Sequence, residues 1–157
     1  IPQNTGNIGR TCVATGTSLH LIEPLGFKID DKSLKRAGMD YWKDLDVHYY
    51  TNFQDFLNKN PNANIYMATT KALNTYSDVK FKDDDFIMFG SEGSGIPEEI
   101  LLHYKDNSIR IPMLEQYRSL NLSNSVAIVL YEALRQNSFK GCQMEGHLHR
   151  HSWSEAE

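Results

Sequence analysis

Cysteine is scarce. Cys12 and Cys142 are the two in 157 residues, too few for a disulfide framework and in keeping with a reducing, cytoplasmic compartment. Long apolar runs are missing: none approaches the ~20 residues that span a bilayer, so no membrane partner is expected, nor is a secretory signal. Basic excess is missing too. Sixteen Lys and Arg against twenty Asp and Glu give a net charge of −4, which argues against indiscriminate nucleic-acid binding through one basic face. It does not exclude a specific RNA enzyme, because local clusters remain open and a dimer can join two of them. Internal repeats, low-complexity tracts and interdomain linkers are absent. No glycine-rich loop ends in Gly-Lys-Ser/Thr and none has the GxGxxG spacing, which removes the P-loop and dinucleotide-binding readings.

What is present is an ordinary globular composition, 40% hydrophobic and 23% charged, in a chain sized for one domain with a real core. Short apolar runs alternate with helical segments along it. The pattern predicts strands over 19–22, 47–50, 65–69, a buried strand over 86–89 and a strand over 109–113. Helices are expected over 7–15 (ended by Gly16), 31–37, 52–58 with Thr51 as cap, 97–104 with Pro97 in the first turn, and 123–136. Residues 4–6 read as turn chemistry, and Cys12 as a small buried residue on the first helix. Strands alternating with helices imply an α/β domain with a largely parallel sheet and flanking helices over residues 1–139.

Residues 108–136 organise the rest. A short strand punctuated by Pro112 leads through a polar loop, 114–122, into a helix that is apolar on most of its circumference through Val126, Ile128, Val129, Leu130 and Leu134. Such a helix is expected to be buried on more than one side, against its own sheet and a second subunit. Asn121 or Ser123 can cap it. Polar loops fixed by a rigid scaffold are where binding and catalysis concentrate. Gly90-Ser91-Glu92-Gly93-Ser94-Gly95 follows a strand and precedes a helix; alone it reads as a tight turn. Beyond Phe139 periodicity is lost. His147, His149 and His151 have no Cys or carboxylate at ligand spacing, so residues 140–157 read as a disordered or appended tail and no metal site is expected.

Three motifs in order resemble those of the SPOUT methyltransferases. They are Pro2-Gln3-Asn4-Thr5-Gly6-Asn7-Ile8-Gly9-Arg10, then Phe89-Gly90-Ser91-Glu92-Gly93-Ser94-Gly95-Ile96-Pro97, then Ile111-Pro112-Met113 with Arg118-Ser119-Leu120-Asn121-Leu122-Ser123-Asn124. Lys35-Arg36-Ala37-Gly38-Met39-Asp40-Tyr41-Trp42 is similar to the TrmL-type subfamily, which methylates the tRNA wobble ribose. The resemblance implies a C-terminal trefoil knot, a homodimer, a tRNA substrate, and S-adenosyl-L-methionine converted to S-adenosyl-L-homocysteine without a metal. Family members begin with a hydrophobic strand just before this point, so the sheet is expected to lack its first strand here.

Carried over residue by residue, the resemblance implies that Ala68, Thr69, Gly90, Glu92, Gly95, Ile111, Met113, Ser119 and Leu120 hold the cofactor. Asn4, Arg10, Glu92, Ser119 and Asn121 are the candidate catalytic residues. Arg10 is expected to bind the phosphate next to the reacting ribose and not to act as a base, since guanidinium keeps its proton. Asn121 is open between pure capping and substrate contact, and Glu92 between holding its own loop and facing the cofactor. Lys35, Arg36, Lys71 and Arg118 are candidate RNA contacts, with Tyr41 and Trp42 as stacking partners, and Tyr131 and Leu134 as the dimer contact. The function implied is 2′-O-methylation of wobble cytidine or 5-carboxymethylaminomethyluridine. Alternatives are a SPOUT enzyme for another tRNA position or rRNA, and a non-catalytic RNA-binding module.

Overall fold

The strand Ile65–Ala68 (β3) has parallel neighbours on both sides, β5 (Phe86–Phe89) and β6 (Ser108–Arg110), with β4 (Asn74–Thr75) beyond β6 in the order β4-β6-β3-β5. The computed structural model describes residues 3–25, 32, 36, 38 and 40–157. A second parallel pair, β1 (Leu19–Ile22) and β2 (Val47–Tyr50), stands as its own two-stranded sheet. The helices are α1 (Gln3–Thr15), α2 (Phe53–Lys59), α3 (Glu98–Leu101), which runs into a 3-10 stretch (Leu102–Asn107), and α4 (Leu122–Gln136).

Alternation along β3 divides the core. Ile65 and Met67 face a cluster with Tyr50, Phe56 and Ile96, while Tyr66 on the other face joins Phe81, Ile109 and Val129 under α4. Successive strand residues point to opposite faces, and a parallel strand covered on both reads as a continuous apolar run. A third cluster, Cys12, Trp42 and Leu45, fills the space between α1, the 3-10 turn Asp40–Asp44 and the β1–β2 pair. Gly9 is required there: a Cβ would lie 2.8 Å from the Trp42 ring. Burial pushes the Cys12 thiol up to about 11, as expected of a structural cysteine.

Several expectations need correction. Helix α1 starts at Gln3, so residues 4–6 are helical and not a turn. Helix α2 is capped by Asn52, whose side chain accepts from the Asp55 amide, and not by Thr51. Strand β5 is only half-buried because it ends the four-stranded sheet. Strand β6 stops at Arg110, two residues before Pro112, which lacks the N–H a ladder needs. Of the helix expected over 31–37, only Lys32 and Arg36 are described, both helical and exposed. Helix α4 packs against α1 and against the sheet through Val129, and Ile128 and Tyr131 on its remaining face are exposed in the single chain. Its C-terminus is stitched to the chain before β5, with the Gln136 amide receiving the Phe81 N–H at 2.8 Å and donating to Val79 O at 3.0 Å. Residues 140–157 carry one 3-10 turn, Trp153–Glu155, closed by a Ser152 capping box, and no other helix or strand. Among the described residues no helix is long and apolar enough to cross a membrane.

On the β1–β2 pair, the His20 ring stacks on His48 with centroids 4.5 Å apart and edges against Phe86 at 5.1 Å. Its Nδ1 meets the Tyr50 hydroxyl at 2.8 Å, and His48 meets Asp46 at 3.0 Å. Burial, reinforced by the His48 ring, holds the His20 imidazole below its usual 6.5, against the pull of Asp46. The unfolded chain therefore takes up this proton first. The contribution of a neutral His20 to stability is complete above pH 6.5 and declines as pH falls through that value toward the folded one. Melting temperatures across pH 7.5 to 5.5 should fall for the wild type and fall less for His20→Gln; equal slopes would refute the assignment.

Candidate active site

Parallel pairing brings three loops to one edge. Ala68 lies opposite Phe89 on one side and Ile109 on the other, so Thr69, Gly90 and Arg110 leave the sheet side by side. The Thr69 amide extends the ladder to Ile109 O at 2.9 Å. Ligands of open α/β sheets bind beyond the carboxyl ends of the strands. Ile111 continues past β6 and packs, half-buried, against the cluster under α4. Ala68, Thr69, Gly90 and Ile111 thus share this edge.

Gly90 is there for want of a side chain. A Cβ would stand 2.1 Å from the Gly95 carbonyl carbon and 2.3 Å from Ile96 N. Both are backbone atoms that cannot swing aside. The loop folds back on itself: Gly95 N–H donates to Ser91 O at 3.0 Å, and Gly95 takes φ +70°, the region that favours glycine. The side chain that organises this loop is Ser91, whose hydroxyl meets Ser94 Oγ at 2.9 Å and receives the Ser94 amide at 3.4 Å. Glu92 is exposed and makes no hydrogen bond among the described residues, so the loop-holding role considered for it belongs to Ser91. Sequence reasoning passed over Ser91; its signal is a serine three residues before another inside a glycine-rich turn.

The loop between β6 and α4 is exposed from Leu114 through Asn121, Ser119 and Leu120 included. Ser119 makes no hydrogen bond among the described residues. Asn121 does. Its Oδ1 accepts from Ser123 N at 3.0 Å, Ser123 Oγ at 2.7 Å and Asn124 N at 3.3 Å. Three donors on one oxygen fix the amide orientation and leave only Nδ2–H groups to face a ligand. Asn121 can therefore cap and donate at once, and the two alternatives are not exclusive. Asn4 and Asn121 line one cleft of about 430 Å³ together with Gln3, Asn7, Ser123 and Asn124. Sequence reasoning named two of these six; Gln3, Asn7 and Asn124 reach the cleft because α1 packs against α4.

Arg10 projects from α1 over the Tyr41 ring, its guanidinium carbon 5.3 Å from the centroid. The Tyr41 hydroxyl donates to Gly6 O, and burial raises its pKa while Arg10 opposes the rise. A cation over an aromatic face contributes about 0.5–1 kcal/mol when exposed, enough to bias the orientation of the guanidinium. Arg10 makes no hydrogen bond to Ser119, Asn121 or Glu92 among the described residues. Trp42 is 5% exposed and packs under α1, so it is not a stacking surface for RNA. Lys71, on the loop after β3, pairs with Glu98 at the start of α3 at 3.1 Å. Arg36 and Arg118 are exposed, and Lys35 lies outside the described residues. Met113 and Arg118 line a second cleft of about 480 Å³. Tyr131 is exposed and Leu134 half-exposed on α4. No group of three His, Cys, Asp or Glu that can hold a metal ion occurs among the described residues.

Relatives with this arrangement are known. A protein of Aeromonas hydrophila named tRNA (cytidine(34)-2'-O)-methyltransferase is 46% identical over 146 residues, covering 92% of this chain and 94% of the relative. One from Geobacillus stearothermophilus, provisionally given the same name, is 51% identical over 144 residues, covering 90% and 92%. A solved structure described as giving insight into the 2-OH methylation of C/U34 on tRNA superposes with TM-score 0.81 at 40% identity, covering 88% of this chain and 90% of that one. An AdoMet-bound rRNA methyltransferase from Sinorhizobium meliloti superposes with TM-score 0.69 at 28% identity, covering 84% of this chain and 51% of that one. The sequence pattern of the SpoU rRNA Methylase family matches residues 1–131. With its parallel strands delivering three loops to one edge, this α/β chain belongs to the SpoU methylase family.

Proposed function

We propose that this protein transfers a methyl group from S-adenosyl-L-methionine to the ribose 2′-OH of the tRNA wobble nucleotide, a cytidine or 5-carboxymethylaminomethyluridine, in the cytoplasm. The observation that carries the reading is the meeting of Ala68, Thr69, Gly90 and Ile111 at one sheet edge, in a chain whose relatives bear that activity in their names. The edge suits an adenosyl group: Gly90 leaves backbone where a side chain would stand, and Ala68, Ile111 and Met113 offer apolar flanks to a ring. Gly95 and Leu120 border the same loops, and Glu92 is free to face the sulfonium end. Bound there, the cofactor supplies an electrophilic methyl group.

The remaining chemistry falls to the chain. A bound cofactor would supply its methyl to the 2′-oxygen and leave as S-adenosyl-L-homocysteine, and the hydroxyl proton would pass to a phosphate oxygen or water. Arg10 holds the adjoining phosphate and stabilises negative charge as it grows on the ribose oxygen. Asn121 donates from Nδ2 toward the same ribose, with Asn4 across the cleft and Ser119 on the adjoining loop. Alignment of oxygen and methyl supplies much of the acceleration. Two subunits meeting on α4 through Tyr131 and Leu134 share one tRNA, and the trefoil knot expected of the SPOUT class completes the cofactor loops.

Transfer of labelled methyl to unmodified tRNA, followed by nuclease mapping, tests the reading: label belongs in the wobble nucleotide, and label elsewhere or nowhere refutes it. Arg10→Ala should lower kcat by about 10²-fold or more, on the scale of losing one preorganised donor. Asn121→Asp keeps the capping oxygen but removes the Nδ2 donor, so activity should drop about as far with little change in melting temperature. Full activity in that variant would reduce Asn121 to a cap.

Gly90→Ala should abolish cofactor binding by calorimetry, because the new methyl collides with backbone; an unchanged Kd would show that the loop is not part of the pocket. Tyr131→Glu should sediment as a monomer and lose tRNA methylation, and a fully active monomer would overturn the shared-substrate reading.

A further inference from the structure

Arg110, outside the expected site residues, is the last residue of β6. Its backbone is held on the β4 side: Thr75 pairs with it in register and Tyr76 N–H donates to its carbonyl at 2.9 Å. Alternation sets its direction. Ile109 is buried under α4, whereas Ser108 turns the other way and donates to Tyr104 O at 2.8 Å, so Arg110 lies on the sheet face away from α4. There it lines the second cleft, about 480 Å³, with Arg118, Thr70, Thr75, Tyr117 and Glu115.

This cleft gathers two arginines. Neither Arg110 nor Arg118 pairs with a carboxylate among the described residues, although Glu115 lines the same space. Lys71, the nearby cation of the β3–β4 loop, pairs with Glu98 at 3.1 Å in a largely exposed contact. Two guanidinium groups facing one carboxylate leave a local positive excess in a chain of net charge −4. Paired forks of donors match phosphate oxygens, and threonine hydroxyls add neutral donors of the kind that position a nucleic-acid backbone. Tyr117, 64% exposed, presents a ring on which an unstacked base can lie. Met113 lines the cleft while belonging to the loop that borders the cofactor edge.

We propose that Arg110 and Arg118 form a clamp for a phosphate of the RNA strand next to the reacting nucleotide, with Tyr117 stacking on a neighbouring base. This rests on the tRNA reading above and adds to it a strand-anchoring site outside the catalytic residues. Arg110 supplies the fixed arm from the sheet and Arg118 the arm from the loop, one residue before Ser119. The clamp thereby ties RNA binding to the position of the Ser119 loop.

Filter binding of tRNA across a salt series, beside calorimetry with S-adenosylmethionine alone, tests the clamp on the full chain. Arg110→Gln and Arg118→Gln should each weaken tRNA binding about tenfold and reduce the slope of log K against log salt by about 1. Cofactor affinity should not change, and Arg110→Lys should recover the salt slope but only part of the affinity. Arg118→Gln, in an exposed loop, guards against a folding defect in Arg110→Gln, and melting curves identify one. Unchanged tRNA affinity and slope in a folded variant overturn the clamp. So does weakened cofactor binding with intact tRNA binding, which would assign the cleft to the cofactor's carboxylate. An arginine-dependent slope in a protein that methylates no tRNA upholds the clamp and refutes the activity; methylation with a slope indifferent to both arginines does the reverse.

Discussion

Strand β3 is held from both sides in the same direction, by β5 through four residue pairs and by β6 through two, and the site exists because of that alignment. Were either neighbour antiparallel, its following loop would leave from the opposite edge and the glycine turn could not face the loop of Ser119. Parallel pairing needs a crossover between each pair of strands. Helix α3 lies in the crossover from β5 to β6, α2 precedes β3 and α4 follows β6; between these layers Met67 and Ile109 are completely buried. Packing and site geometry are thus one constraint met twice.

Above this frame, polar side chains do the local positioning. Ser91 closes the glycine turn, Asn121 closes the first turn of α4, and Gln136 with Asn137 ties the far end of α4 to the chain around Phe81. Each satisfies backbone groups that a turn or helix end leaves unpaired. Helix α4 is anchored at both ends by amides while its middle is held by Val126 and Val129. The loop before it can then be exposed without the helix losing its register on the sheet.

Much of this was legible in the sequence, for identifiable reasons. Strands β1, β2 and β5 have the bounds that their apolar runs predict, and α4 starts one residue early. The start of α1 was misread because Asn4, Thr5 and Gly6 are turn formers in isolation, and packing against α4 overrides that preference. The cap of α2 was displaced by one because Thr51 and Asn52 are both competent, and local sequence does not choose between them. Gly90 announced itself by composition, although its reason, contact with Gly95 and Ile96 backbone, is tertiary. Ser91 and Arg110 were missed because their roles depend on what folds back onto them. The roles proposed for Arg10, Ser119 and Asn121 rest on resemblance to a family and on no periodicity.

The triple engagement of the Asn121 oxygen has a thermal consequence. Its free N–H groups are aimed only while the first turn of α4 is closed, and helix ends fray at a small fraction of the global unfolding free energy. Warming therefore scatters that donor before the core of Met67, Ile109 and Val129 loosens. On the role proposed for Asn121, warming costs activity at the opening of one helical turn, before the sheet comes apart.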